Sequence, residues 1–274
     1  MSPGGENEAA CRFRCSRHRN IACCKPAFCE CADAAEIRRR CRSALIEDLV
    51  AANHILVAEG VLDAYGHVSV RDPRNPNRYL MSRSRAPILV TADDIMEYDL
   101  DSNPVDAKGR ISVLERFIHG EIYKARPEVQ AVIHSHSPAV IPFGITLVPL
   151  RPVYHQATFL YGGVPVWDIR GLACPEASAM LVRNSCLGQS LAATLGERPV
   201  VLMRGHGDVV VGPDVRTAVK YAIYTEVNAR LQTIAIGLGG PINYISAEEA
   251  AARGNAPSDP ARAWELWKKE ALGK

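Results

Sequence analysis

The stretch Val132-Ile133-His134-Ser135-His136 carries two imidazoles at positions i and i+2. It reads as the end of a buried strand, where side chains two apart leave by the same face, so both rings can converge on one point. Neutral imidazole is the commonest protein ligand for divalent transition metals, which makes the pair a candidate half of a metal site. The plain alternative is two core or surface histidines in succession. The rest of the chain must decide by supplying a third and a fourth donor.

His206 is the best third donor. It stands between Gly205 and Gly207, at a turn joining the apolar runs Val200-Val201-Leu202-Met203 and Asp208-Val209-Val210-Val211. Glycine backbone can swing an imidazole into a site that a helix could not reach; the alternative is a turn histidine exposed to solvent. Glu115 is the best fourth donor. It lies one helix upstream of His134, and a helix packed on that strand would aim its first turn at the strand end. Ser112-Val113-Leu114-Glu115 also fits a capping box, in which Glu115 would only satisfy the backbone of residue 112. The two roles are compatible, since a carboxylate that can leave a metal can also accept a proton.

These residues need a scaffold, and the pattern supplies one. Leu45, Leu49, Ala52 and Leu56 recur at helical spacing within Ala34 to Glu59, with Gly60 as the stop. His67-Val68-Ser69-Val70-Arg71 and Arg78-Tyr79-Leu80-Met81 flank a turn-rich segment and predict a hairpin. The basic loop Ser82-Arg83-Ser84-Arg85 follows, then a helix start at Thr91 and Asp94. A helix is expected over 112–125, another over roughly 176–195, and a strand over 164–168. Asp214 caps a long helix to about Ile236, and Asp259-Pro260 opens a last one containing Trp264 and Trp267. Strands and helices interleave without a linker or repeat, so residues 34–274 are expected to form one α/β domain. Neither a phosphate-loop nor a dinucleotide fingerprint is present.

Composition excludes several classes. The 274 residues are 47% hydrophobic and 23% charged, with 32 basic against 30 acidic side chains and a formal charge of +2. That balance exerts no strong pull on nucleic acid or an acidic membrane. No apolar run would span a bilayer, the N-terminus lacks the apolar core of a signal peptide, and the expected compartment is the cytoplasm. Six of the nine cysteines, Cys11, Cys15, Cys23, Cys24, Cys29 and Cys31, crowd the first 33 residues. A secreted disulfide scaffold would spread them through the fold. With no C-x-x-C pair, residues 1–33 read as a disordered extension in preference to a zinc module.

Gly66-His67-Val68-Ser69-Val70-Arg71, Glu115-Arg116-Phe117-Ile118-His119, His134-Ser135-His136 and Arg204-Gly205-His206-Gly207 resemble, in order and spacing, the motifs of the class II aldolase/adducin family. The resemblance spans about Glu36 to Ile242. It implies a single α/β/α layered domain around a largely antiparallel central sheet, and homotetramers with active sites at subunit interfaces. It implies His134, His136 and His206 as ligands of one divalent ion, with Glu115 as the carboxylate that serves as ligand and acid/base. Three imidazoles and a carboxylate suit zinc, manganese, cobalt or iron.

The family's sugar-phosphate aldolases hold phosphate with an asparagine where this chain has His67, and with a loop replaced here by Met81-Ser82-Arg83-Ser84-Arg85-Ala86-Pro87. Their tyrosine proton donor falls near Tyr154-His155-Gln156-Ala157-Thr158-Phe159, at about Gln156. These stretches, with Arg151-Pro152-Val153, resemble instead the family's decarboxylases of hydroxylated aromatic or heteroaromatic acids. The resemblance implies an aromatic acid substrate contacted by His67, Ser82, Arg83, Arg85 and Tyr154, with Glu115 or His155 returning a proton to the ring. A guanidinium fork suits a second ring carboxylate, with Arg83 the first choice and Arg85 the second. An aldolase acting on a hydroxyketone is the alternative.

Overall fold

The computed structural model describes residues 34–255 and 260–273. The expected extension over 1–33 and the expected cap Asp259 lie outside these residues. Seven strands, β1 (His67–Arg71), β2 (Arg78–Ser82), β3 (Ile95–Asp99), β4 (Ala131–Ser135), β5 (Val166–Trp167), β6 (Val200–Met203) and β7 (Gly207–Gly212), form one sheet in the order β3-β2-β1-β4-β7-β6-β5. Every neighbouring pair is antiparallel except β5 with β6.

Alternation along the strands divides the interior into two cores. Val68, Val70, Leu80, Ile133, Leu202 and Val210 face α1 (Ala34–Ala58), α5 (Val215–Leu238) and α7 (Ala261–Leu272). Tyr79, Met81, Val132, Val201, Val209 and Val211 face α2 (Phe117–Ala125) and α4 (Ser185–Leu195). The result is the expected α/β/α layering. Each fully buried aliphatic side chain in these cores contributes roughly 1.5–3 kcal/mol. The short helix α3 (Ile141–Ile145) and α6 (Ala247–Asn255) complete the set of described α-helices. None of the described helices is long and apolar enough to cross a membrane.

Local chemistry explains where the elements begin and stop. Leu49, Ala52 and Leu56 bury one face of α1, and Gly60 ends its run at φ +73°. Asp214 accepts the Thr217 N–H at 2.8 Å to open α5, and Gly239 closes it at φ +76°. Trp264 and Trp267 anchor α7 in the core.

Three expectations need correction. The helix over 176–195 begins only at Ser185, capped by the Asn184 side chain on Leu187 N–H at 3.1 Å. Glu176 and Met180 ahead of it adopt left-handed φ of 62° and 57°, which breaks a helix. A disulfide that the cysteine distribution did not suggest joins Cys174 to Cys186, with Cα atoms 5.7 Å apart. The helix expected from Ser112 starts at Phe117, because Ser112 is drawn into a bridge with Arg83. The Thr91–Asp94 capping box is present but opens only a single 3-10 turn, Ala92–Asp94; the alternating Ile95-Met96-Glu97-Tyr98-Asp99 then continues as β3.

Candidate metal centre and active site

β4 runs through the middle of the sheet, with His134 paired to His67 on β1 and to Val209 on β7. The His134 Nδ1 lies 3.0 Å from the Asp208 carbonyl oxygen, which can only accept, so Nδ1 carries the proton. Its Nε2 is left with a lone pair, buried and without a hydrogen-bond partner among the described residues. Burial holds this imidazole down to about 4, with His206 and His136 adding to the effect and Glu115 opposing it, so it is neutral near pH 7.

His136 is oriented in the same way. Its Nδ1 faces Asp63 Oδ2 at 3.0 Å. Burial would raise the Asp63 carboxyl, but the His136 bond and the N–H groups of Tyr65 and Gly66 outweigh it and keep the acid ionised. The His136 Nε2 then lies 3.1 Å from the His206 Nε2.

His206 reaches the site because its glycines do what the sequence suggested. Gly205 turns the chain at φ +65°. Gly207 lies so close to the Ser135 carbonyl that a Cβ there would collide with backbone. Glu115 completes the group, with Oε2 3.6 Å from His134 Nε2 and 3.5 Å from His206 Nε2. Its Oε1 accepts the Val182 N–H at 2.8 Å, so the glutamate does not cap Ser112. Burial pushes this carboxyl up, but the His206 bond, the neighbouring His134 and His206 rings and the Val182 N–H bring it down to about 2.

One donor atom from each of Glu115, His134, His136 and His206 lies within 4.8 Å of all the others. Nitrogens bound to a tetrahedral ion at about 2.0–2.1 Å stand about 3.3 Å apart, so the spacing of these bare nitrogens fits a divalent cation. The intervening serines point the other way: Ser135 Oγ donates to Asp208, and Ser137 Oγ donates to Glu226 of α5. Burial pushes Asp208 up to about 7, the Glu226 charge adding to it.

The remaining expected site residues are spread around this centre. The His67 ring packs 5.0 Å from that of His134. Arg83 follows β2 and bridges Ser112, while its Nε binds Asp94 Oδ1 at 2.6 Å. Arg85 reaches the same oxygen at 3.4 Å, and its own Nε is buried without a hydrogen-bond partner among the described residues. Ser82 pairs with Ile95, and alternation turns its side chain to the Leu80 side, away from His134. Tyr154 packs against Tyr224 of α5 at 5.8 Å, and His155 Nε2 meets only the Gln156 amide at 3.1 Å. Neither touches the histidine cluster within the chain. Sequence reasoning missed Asp63, whose signal was Asp63-Ala64-Tyr65-Gly66 as a turn before β1, and His119, four residues after Glu115 on α2.

The model of the Class II Aldolase and Adducin N-terminal domain matches residues 47–233. The chain belongs to that family. Among its family relatives, decarboxylase tropJ of Talaromyces stipitatus is 40% identical over 223 residues, covering 77% of this chain and 80% of that protein. The 3,4-dihydroxyphthalate decarboxylase of Arthrobacter keyseri is 32% identical over 211 residues, covering 72% and 80%. Among solved structures, an L-fuculose 1-phosphate aldolase from Glaciozyma antarctica superposes with a TM-score of 0.72 at 25% identity, covering 92% of this chain and 97% of that one. The solved aldolase thus shares this layered fold, and the two curated relatives carry decarboxylase names.

Proposed function

We propose that the chain is a divalent-metal-dependent lyase that decarboxylates a hydroxylated aromatic or heteroaromatic mono- or dicarboxylate. The observation that carries this reading is the convergence of three imidazoles and one carboxylate on a single point. The relatives named as decarboxylases support it. Zinc, manganese, cobalt and iron all suit the donor set.

A divalent ion bound at this point would supply Lewis acidity, stabilising the negative charge that develops as the carbon–carbon bond breaks. His134, His136 and His206 would hold it. Glu115, ionised and buried beside them, is placed to accept the phenolic proton when substrate binds. The bond to the carboxyl group then breaks with its electron pair left on the ring, carbon dioxide departs, and Glu115 returns its proton to that ring carbon. Solvent re-protonates the phenolate as product leaves. The unpaired Nε of Arg85 makes it the better guanidinium for a second ring carboxylate, ahead of Arg83, whose Nε is committed to Asp94. Ser82 contributes backbone position only.

Homotetramer formation is part of this reading. Leu147 is fully exposed, and Ile145, Val148, Leu231, Ile234, Ile236 and Leu238 are also exposed apolar side chains, a set that a second copy would cover. In such an assembly Tyr154 and His155 would serve a neighbouring subunit's site, with His155 as the second candidate acid. Light scattering of the purified protein tests the stoichiometry.

The alternative, an aldolase acting on a hydroxyketone, rests on the shared fold of the fuculose phosphate enzyme. The deciding experiment is a screen of ortho-hydroxy aromatic mono- and dicarboxylates with each metal, following carbon dioxide. Release that vanishes in His134→Ala together with bound metal supports the proposal. Aldehyde formation from hydroxyketones without carbon dioxide release would replace it with the aldolase reading.

A further inference from the structure

Behind the metal centre lies a line of polar groups that the proposed reaction leaves unexplained. Tyr123 OH is 2.9 Å from Ser69 Oγ, Ser69 Oγ is 2.6 Å from His119 Nδ1, and His119 Nε2 is 2.6 Å from His67 Nδ1. All four side chains are buried. His119 and Tyr123 stand at i and i+4 on one face of α2, and His67 and Ser69 at i and i+2 on one face of β1. The line ends at His67 Nε2, which is buried, has no hydrogen-bond partner among the described residues, and belongs to a ring packed against His134.

The direction of this line follows from counting protons. Both rings are buried, and neither has a carboxylate among its hydrogen-bond partners; the facing nitrogens His67 Nδ1 and His119 Nε2 can share only one proton, so each ring carries a single proton. The Tyr123 hydroxyl must place its proton; the Val132 N–H beside it can only donate, and among the described groups the acceptor is Ser69 Oγ. Ser69 therefore accepts from Tyr123 and donates to His119 Nδ1. With Nδ1 accepting, the His119 proton sits on Nε2 and is donated to His67 Nδ1. The one proton of His67 is thereby left on Nε2. The opposite direction would leave the buried Tyr123 proton with no acceptor, which is costly.

We propose that Tyr123, Ser69 and His119 are positioning residues that fix His67 as its Nε2–H tautomer, so that His67 offers a hydrogen-bond donor to an anionic oxygen of the ligand held at His134, His136 and His206. His67 accordingly stands beside the four-residue metal group without belonging to it. A carboxylate or phenolate oxygen of a hydroxy-aromatic acid is the chemistry such a donor would hold. The substrate class rests on the function proposed above; the tautomer does not.

The ring nitrogen-15 resonances of His67 in the zinc-loaded full-length protein, assigned by their loss in His67→Gln, test this directly. A protonated Nε2 and a bare Nδ1 are expected. A proton on Nδ1, or zinc bound at Nε2, overturns the proposal, and this reading needs no variant of Tyr123, Ser69 or His119. Activity gives a second arm. In His119→Leu, kcat on the best aromatic acid should fall roughly 10- to 100-fold with zinc content unchanged. In His119→Gln, the side-chain carbonyl can accept from Ser69 and the amide donate to His67, so most of that loss should be recovered. Equal loss in both variants would reduce His119 to packing and sink the proposal. If the wild-type protein releases carbon dioxide from no aromatic acid, the substrate reading fails alone, and the nitrogen-15 spectrum still decides the tautomer.

Discussion

The Asp63 carboxylate and the His136 ring meet at 3.0 Å through Nδ1, leaving Nε2 to face His206. A carboxylate in this place fixes the tautomer and raises the basicity of the nitrogen that binds metal. Asp63→Asn keeps the shape but not the charge, and its amide can present a donor to Nδ1. Metal affinity is expected to fall roughly 10- to 100-fold, measured by competition with a chelator. Unchanged affinity would mean that His136 does not bind metal through Nε2.

Glu115→Gln separates ligand from proton carrier. The glutamine can still accept the Val182 N–H, so the loop before α4 should stay in place. Metal should be retained with weaker affinity, while carbon dioxide release falls at least roughly 100-fold. A metal-loaded, fully active variant would move the proton-transfer role to another group, with His155 the first to test.

Gly207→Ala addresses how His206 is delivered. Its new methyl group would press on the Ser135 carbonyl and the His136 Cα, backbone atoms with little room to yield. A loss of roughly 1–3 kcal/mol is expected in chemical denaturation, accompanied by weaker metal binding because β4 and β7 carry the ligands. A stable variant with normal metal content would show that the two strands can separate without cost to the site.

Much of this arrangement was legible in the sequence, for identifiable reasons. Period-two alternation placed His134 and His136 on one face, and the paired glycines marked His206 as a residue brought in by a turn. Long periodic elements such as α1 and α5 declared both their faces and their ends. The partners of those residues were harder to see. Asp63 and the Val182 N–H come from loops, whose side chains and backbone groups have no periodicity to betray where they point. Arg83 and Arg85 read as free loop cations because their partner Asp94 was already accounted for as a cap, and it performs both tasks. The start of α4 was obscured because residues 176–184 are apolar enough to continue a helix, while left-handed backbone at Glu176 and Met180 has no signature in those residue types.

His119 gives a pH prediction. Its folded value, pushed down to about 3 by burial, lies below the ordinary 6.5, so the unfolded chain binds more protons between the two. Its contribution is therefore fully present above about pH 6.5 and is lost progressively as pH falls toward 3, by at most about 1.4 kcal/mol per pH unit. Denaturation midpoints measured down this range should fall more steeply for the wild-type chain than for His119→Gln. Parallel profiles would show that His119 titrates alike in both states.

The alternation in β4 ties two systems to one reading frame. His134 and His136 belong to the metal face, while Ser135 and Ser137 belong to the carboxylates of Asp208 and Glu226 on the other. A slip of one residue would send imidazoles into the α5 layer and hydroxyls toward the metal, exchanging every donor at once. The strand can thus be altered residue by residue but cannot accept an insertion or deletion, and change in this enzyme is channelled into the loops that surround an indivisible centre.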